Sequence, residues 1–257
     1  MERLSRERKV ELTAAGVHKF GILFYTLGIF GRSVLQNQLL GLNQEGVDIL
    51  ATLSNMPNGM LIATVALILQ MVQACAVPIF CFLLVEGARN TSTMKNYILR
   101  LFTLALITEI PYNLACGGKL IDFGSRNPVF ALAVCLVLIY FYDRYGTRSV
   151  VNILIKVCVT VAAVGWAIML RIDNGICFIL ICSVLWICRN KPTLRIVAGC
   201  SMTALCTMFS MFYLAAPMSF LIMHFYNGER GERNRKVDYL SYPVILALLG
   251  STALLMF

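Results

Sequence analysis

The chain has 257 residues, of which 59% are apolar and 14% are charged, and its formal net charge is +9. Soluble domains carry about a quarter charged residues, so this composition excludes an ordinary soluble domain and predicts an integral membrane protein. The basic residues lie mostly in short segments between apolar runs, which is typical of membrane proteins. No basic stripe alternates with aromatic residues, so we expect a lipid bilayer and no nucleic acid as partner.

Candidate spans follow one another along the whole chain. A spanning helix needs about 20 apolar residues, and nine segments qualify in chain order: 12–35, 60–86, 97–115, 128–142, 149–170, 174–188, 194–212, 213–226 and 238–257. The sequence therefore predicts an all-α, polytopic transmembrane helical bundle that forms one integral membrane domain over 1–257. The two segments between 194 and 226 are short and are broken at Ala215-Ala216-Pro217. A single kinked span there, and eight spans in all, is the alternative.

Loop charge favours nine spans. With a cytoplasmic N-terminus, nine spans place every strongly basic loop in the cytoplasm, whereas eight would leave the most basic loop, 230–236, outside. The basic start of the chain precedes an apolar run that lacks an A-x-A-like cleavage site, so we read it as an uncleaved cytoplasmic segment of an inner-membrane protein. The segment 41–59 is polar at both ends and is predicted to lie at the outer interface.

Two carboxylates lie in or beside apolar runs, where an ionisable group costs about 2.5–3.5 kcal/mol. Glu109 is expected near mid-depth of the third segment. Pro111 removes one helix hydrogen bond, and with Tyr112 beside it a polar cavity is expected there. The alternative is a structural pair between Glu109 and an arginine of another helix. Glu86 ends the second segment, and its alternative is a local ion pair with a neighbour such as Arg89.

Other polar residues mark the segment ends. His18, near the start of the first segment, is a candidate base or transient acyl carrier, although a lone histidine near an interface is more often structural. Arg32 lies deeper and needs a carboxylate or a ligand phosphate. Asn127-Pro128 and Asp173-Asn174 precede the fourth and sixth segments and fit helix capping. The Asn227-Gly228 turn begins a basic patch for headgroups or cofactor phosphates.

Several chemical signatures are missing from the sequence. The ten cysteines lie almost all in apolar runs without a C-x-x-C pair, which indicates small buried hydrophobes rather than a metal or disulfide framework. There is no H-E-x-x-H, G-x-S-x-G or P-loop motif. An intramembrane metalloprotease, a serine hydrolase and an ATP-driven pump therefore lose support.

The two apolar segments that contain Glu86 and Glu109 resemble a known protein family. VPIFCFLLVEGARNT and KNYILRLFTLALITEIPYNL, together spanning 77–114, resemble the core of the TraX family of integral membrane proteins. That family includes the enzyme that acetylates the N-terminus of conjugative pilin. NPVFALAVCLVL, RIDNGICFIL and FYNGERGERNRKVDYLSYP match in the same order, so the likeness covers about 70–245. The F-L-L-V-E-G and E-I-P-Y motifs are the specific part.

The resemblance implies a membrane acyltransferase that passes an acetyl group from acetyl-CoA to an amine or hydroxyl acceptor, such as a peptide N-terminus. The expected catalytic residues are His18, Glu86, Glu109 and Asp173. The expected substrate- and cofactor-binding residues are Arg32, Arg89, Lys95, Arg100, Tyr112, Asn127, Asn227, Arg230 and Arg233, and no metal is expected. The chain departs from the family pattern at Val17, where an aspartate usually precedes the histidine, at Ala74, where an arginine is expected, and at Ile245, where a histidine is expected.

Two other functions stay open at this point. A transporter or flippase would suit helices broken at Pro78, Pro111 and Pro217 around charged groups, although no clear internal repeat supports it. A non-catalytic membrane partner of a secretion or conjugation apparatus would suit the missing Asp-His pair.

Overall fold

The computed structural model describes residues 11–43, 47–147, 149–232 and 235–255, with side chains at all of these except 235–238 and 253–255. The described chain is 78% helix and contains no strand, only two isolated β-bridges. Its helices are α1 (Ala14–Phe30), α2 (Ile49–Asn55), α3 (Gly59–Ala74), α4 (Ala76–Arg89), α5 (Met94–Gly117), α6 (Val129–Arg144), α7 (Val150–Met169), α8 (Gly175–Ile187), α9 (Pro192–Leu205), α10 (Ser219–His224) and α11 (Arg235–Leu255). The all-helical prediction is confirmed.

Four helical segments of the described chain are long and apolar enough to cross a membrane: Ala14–Leu39, Gly59–Arg89, Met94–Gly117 and Val150–Met169. The remaining apolar helices are shorter. Length and composition therefore indicate a membrane protein, while the count of nine spans and the cytoplasmic N-terminus stay predictions.

α1 packs antiparallel against α3 and α4 at unusually short range. A Cβ atom at Gly28 would lie 2.1 Å from Cβ of Gln73, and one at Gly31 would lie 2.9 Å from Cβ of Leu69. Glycine at these positions lets two helix backbones approach closely, which is how helices commonly pack in membranes. The contact fixes α3 beside the second half of α1, where the polar residues of α1 lie.

Both helices of this pair are irregular where they meet. α1 continues as a nine-residue π-helix, Gly31–Leu39, and α3 is separated from α4 by a turn at Cys75. Pro78 cannot donate a hydrogen bond to the carbonyl of Ala74, which gives this break its physical reason. The prediction that Pro78 frees backbone near Ala74 agrees with the position of the break.

The segment 192–226 forms a hairpin. The guanidinium of Arg195, near the start of α9, lies 4.4 Å from the ring centroid of Phe82, and the ring of Tyr226, just after α10, lies 5.3 Å from the same ring. Both ends of the segment therefore pack on the same ring of α4, which agrees with two short segments rather than one, while the span count stays a prediction. The break is also longer than predicted, because three 3₁₀ turns occupy Cys206–Met208, Met211–Leu214 and Ala216–Met218.

The loops gather at two ends of the bundle. At the Arg195 end, defined by Arg195 and Glu86, the loops after α4, α6, α8 and α10 meet. At the Asp173 end, defined by Asp173 and Arg32, the loops after the π-helix, α5 and α7 meet. The grouping agrees with the two sets of loops in the nine-span prediction. The predicted interfacial segment 41–59 follows the π-helix and contains α2, whose Ile49 and Leu50 are exposed. Its placement at an interface stays a prediction.

Candidate active site at the Asp173 end

Asp173 is the centre of a polar cluster between α7 and α8. Arg32 Nη1 lies 3.3 Å from Asp173 Oδ2, and the hydroxyl of Tyr112 donates to the same oxygen at 2.9 Å. Asn174 donates from Nδ2 to Asp173 Oδ1 at 3.1 Å, and Tyr213 donates to Asn174 Oδ1 at 2.9 Å. Neither Asp173 nor Asn174 caps α8 with its side chain. The capping prediction is therefore wrong here, because these side chains bind groups from three other segments.

Backbone hydrogen bonds fix the loop that carries Asp173, and a side-chain bond ties the π-helix of Arg32 to the end of α5. Asp173 N donates to the carbonyl of Arg126 at 2.9 Å, and Arg126 N donates to the carbonyl of Arg171 at 2.9 Å, so two loops are paired. Arg32 lies in the π-helix, a form that occurs frequently at functional sites. The same π-helix carries Asn37, whose amide donates to the carbonyl of Cys116 at 2.8 Å. The predicted need of Arg32 for a carboxylate is thus met by Asp173.

A cavity of about 540 Å³ opens beside this cluster, which lies within the range of small-molecule sites. α1, the π-helix, α3, the start of α8 and the 3₁₀ segment form its walls. Its polar lining residues are Tyr25, Arg32, Gln36, Gln70, Gln73, Asp173, Asn174 and Ser210. Leu67, Val77, Phe178, Phe209 and Phe212 contribute apolar surface. A charged pair and several neutral polar groups therefore line one partly open cavity.

Glu109 lies apart from this cavity and is held by partners of its own. Arg126 Nη1 lies 2.8 Å from Glu109 Oε1, and Asn127 donates to Oε2 from Nδ2 at 2.7 Å and from its backbone N at 3.2 Å. The Glu109 side chain is 13% exposed. These partners belong to the loop before α6, and the expected position of Glu109 near mid-depth stays a prediction. The polar cavity expected beside Glu109 lies beside Asp173 instead.

Asn127 joins this loop to α5 and α6. It is fully buried, and besides binding Glu109 it donates to the carbonyl of Ala105 at 2.8 Å and accepts from Val129 N at 3.0 Å. The N-cap position of α6 is Pro128, and Asn127 binds the first backbone N–H of the helix from the residue before it. Because all of these contacts are within the protein, the geometry gives Asn127 a structural position rather than one facing the cavity.

Glu86 is paired at the opposite end of the bundle. Its Oε1 binds Arg195 Nη1 in a close contact and lies 3.3 Å from Arg89 Nη1. The predicted alternative of a local pair with Arg89 is confirmed. The pairing with Arg195, which is 9% exposed and stacks on Phe82, was not predicted. The only sequence signal for Arg195 was its place in a basic loop.

His18 and the Asn227 loop meet at the start of α1. Asn227 N donates to the carbonyl of Leu12 at 3.0 Å, and Ala15 N donates to the carbonyl of Arg230 at 3.2 Å. The loop therefore covers the N-terminus of α1, one turn before His18. The Asn227 loop and the start of α1 are far apart in the sequence, and the structure brings them together at the Arg195 end.

The predicted catalytic residues do not form one constellation. Arg32 lies fourteen residues beyond His18 on one continuous helical segment, which at 1.5 Å per residue is about 21 Å. The ring of Phe80 lies between them, 6.1 Å from the His18 ring and 6.5 Å from the ring of Tyr25, which lines the cavity. His18 therefore lies on the far side of Phe80 from Asp173.

The remaining predicted binding residues lie near the Arg195 end. Lys95 and Arg100 are exposed on the first turns of α5, and Arg100 Nε donates to the carbonyl of Asn96 at 3.1 Å. Arg233 lies outside the described residues. The sequence analysis missed Gln70 and Gln73, although two amides three residues apart in an apolar run are a signal of a polar face.

A protein-family model described as "TraX protein" matches residues 47–252. The chain belongs to the TraX family. The match confirms the resemblance and extends beyond its expected range of 70–245 on both sides. His18 precedes the part of the chain that matches TraX, so the family comparison does not test the histidine. No curated protein and no solved structure matches the chain.

Proposed function

We propose that this TraX chain is a membrane-embedded acyltransferase that moves an acetyl group from acetyl-CoA to an amine or hydroxyl acceptor. The observation that carries the proposal is the Asp173 carboxylate at the wall of a cavity of about 540 Å³, with the guanidinium of Arg32 beside it. Acyl transfer needs a proton acceptor and a donor of hydrogen bonds to the developing oxyanion, and these two side chains supply both.

The proposed chemistry is one displacement in the cavity. The acceptor nitrogen or oxygen attacks the thioester carbon, the carbon–sulfur bond breaks, and the CoA sulfur leaves as a thiolate, which takes up the proton that Asp173 has received from the acceptor. Asp173 binds the acceptor and takes its proton, while Arg32 donates to the carbonyl oxygen as negative charge develops there. Tyr112 and Asn174 hold the carboxylate in place.

The donor would enter from the Arg195 end, which we assign to the cytoplasm in a nine-span inner-membrane topology. Arg89, Lys95 and Arg230 at this end would bind the phosphates of CoA. Tyr25 lies ten residues beyond Ala15, about 15 Å along α1, a distance that the extended pantetheine arm of CoA covers. His18 lies beside this route and outside the cavity, so it takes no part in this displacement.

In this proposal Glu109 and Glu86 stabilise the fold rather than react. Each carboxylate is bound to an arginine of the protein, and neither lines the cavity. Of the four expected catalytic residues, Asp173 is the one that both lines the cavity and binds a cation.

The test is transfer of label from radiolabelled acetyl-CoA by purified protein in nanodiscs, with host-membrane extract as the source of acceptor. Replacing a general base lowers the rate by roughly 100- to 10,000-fold, so Asp173→Asn is expected to lose at least 99% of transfer. Asp143→Asn, whose side chain is 68% exposed at the other end, is the matched control. Transfer at the wild-type rate by Asp173→Asn would remove the proposed mechanism, and absence of CoA-dependent transfer by wild type would remove the function.

One observation favours a transporter as the second candidate. The π-helix, the turn at Cys75 and the 3₁₀ segment all lie around the cavity or its edge, and broken helices commonly form substrate sites in transporters. Solute counterflow in proteoliposomes that contain no acyl donor distinguishes this reading, because an acyltransferase gives none.

A further inference from the structure

We propose that Gln73 binds a secondary amide of a substrate inside the cavity, an inference that rests on the proposed acyl transfer. Gln73 is 7% exposed and lines the cavity. Within the part of the chain that the structure describes, no group donates to or accepts from its carboxamide. Its amide atoms are not among the fully buried polar atoms that lack a partner, so they reach the space of the cavity, where a ligand can pair with them.

The carboxamide is held in place rather than free to find another partner. A Cβ atom at Gly28 would lie 2.1 Å from Cβ, 2.7 Å from Cγ and 2.6 Å from Oε1 of Gln73. The side chain thus packs directly on the backbone of α1. A group that is ordered before its ligand arrives loses little conformational entropy on binding, which favours affinity.

The two other glutamine amides that line the cavity, Gln70 and Gln36, differ from Gln73 because they have hydrogen-bond partners in the protein. Gln70 donates from Nε2 to Gln36 Oε1 at 2.9 Å and to the carbonyl of Ala66 at 3.3 Å. Gln70 and Gln36 therefore satisfy one another in part, although both line the same cavity. Neither the amide donors of Gln73 nor its oxygen, which packs on the α1 backbone at Gly28, has a hydrogen-bond partner among the described residues, and the other two amides line the same cavity.

The chemistry of the side chain identifies the class of ligand. A carboxamide offers two N–H donors and one carbonyl acceptor and carries no charge. A secondary amide presents the complementary pair, one carbonyl and one N–H. A phosphate or carboxylate would instead be bound best by a cation, and the cation of this cavity, Arg32, is already paired with Asp173.

The position of Gln73 places this contact on the proposed donor route. Gln73 packs on Gly28, which lies three residues beyond Tyr25 and four before Arg32. Tyr25 is the α1 residue of the cavity wall that lies towards His18, and Arg32 is part of the proposed site of chemistry, so Gln73 lies between the two. Two substrates would bring a secondary amide to this point. The pantetheine arm of CoA contains two, and the backbone of a peptide acceptor contains one per residue.

The test compares binding of two probes, pantetheine and trialanine amide, by calorimetry on the full chain in nanodiscs. Gln73→Met keeps the Cβ and Cγ atoms that pack on Gly28 and removes the amide. Gln38→Met is the control, because Gln38 binds Ser33 and Thr252 and does not line the cavity. We expect Gln73→Met to raise the Kd of one probe about tenfold, the equivalent of 1.4 kcal/mol, and Gln38→Met to leave both unchanged.

The outcomes separate the two ligand sources and the two proposals. Weaker binding of pantetheine alone assigns Gln73 to the donor, and weaker binding of trialanine amide alone assigns it to the acceptor. Unchanged binding of both probes, or no binding of either probe by the wild type, overturns the inference. The Gln73 amide would then be hydrated by water in the cavity. Gln73→Glu, which loses the amide donor at the same size, checks the result if Gln73→Met does not fold. Acetyl transfer by the wild-type protein is measured in a separate assay. If the wild type transfers no acetyl group but Gln73→Met still weakens binding of a probe, the proposed function is refuted and the amide site is retained.

Discussion

The ion pair between Glu109 and Arg126 provides the sharpest test of what the intramembrane carboxylates do. Three contacts hold the Glu109 carboxylate, from Arg126 Nη1 at 2.8 Å and from the side chain and backbone of Asn127 at 2.7 and 3.2 Å. Glu109→Gln removes the negative charge and turns one oxygen into a donor that faces the guanidinium. We expect this variant to lose stability while Asp173 keeps its geometry, because its bond to Arg126 is made to the backbone carbonyl and not to the guanidinium.

The size of the loss follows from burial. Removing one partner of a fully buried ion pair costs about 3–5 kcal/mol, because the other charge is stranded. The Arg126 side chain is 30% exposed and the Glu109 side chain 13%, so the freed guanidinium reaches water and the expected cost falls to about 2–3 kcal/mol. For a chain of this size that corresponds to a fall in Tm of roughly 5–10 °C.

Thermal unfolding in detergent, followed by size-exclusion chromatography, measures this fall, and acetyl transfer is assayed on the same samples below Tm. Arg126→Met should lower Tm similarly, and the double variant should lose less than the two single losses combined. Glu229→Gln, an exposed loop residue, is the control and should change stability by less than about 0.5 kcal/mol. Glu109→Gln with wild-type Tm and no acetyl transfer would refute the structural assignment and return Glu109 to the chemistry.

Two further variants test the packing around the site by the same Tm measurement. Glu86→Gln strands the 9% exposed Arg195 and should cost about 3–5 kcal/mol. The double variant Glu86→Gln/Arg195→Met should recover part of that loss, and an unchanged Tm in the single variant would contradict the pairing. Gly28→Ala forces a Cβ to within 2.1 Å of Gln73 and should cost about 1–3 kcal/mol. Gly165→Ala, with no heavy atom within 4 Å of its added Cβ, should be neutral or slightly stabilising, and equal effects at both glycines would contradict the close helix contact.

Much of the fold was accessible from the sequence because it depends on local rules. Long apolar runs predict helices, Pro78 predicts a break one turn earlier, and Asn127 before a proline predicts a cap at α6. Each of these signals acts within about four residues. The hairpin at 192–226 was less accessible, because the 3₁₀ turns of its tip are apolar and look like a continuing helix.

The pairing of charges was not accessible, because it joins residues far apart in the chain. Asp173 followed by Asn174 and a glycine has the composition of a helix cap, and local rules give no reason to place it beside Arg32, 141 residues earlier. Glu109 followed by a proline looks like the more reactive carboxylate for equally local reasons. Asp173 and Glu109 differ in the arginine that each one binds and in whether the resulting ion pair lines the cavity. Arg126 closes a loop over Glu109, whereas Arg32 is turned into the cavity by a π-helix that no propensity scale predicts. In a membrane bundle the depth of a charge therefore indicates that it needs a partner, and only the partner's surroundings indicate whether it can react.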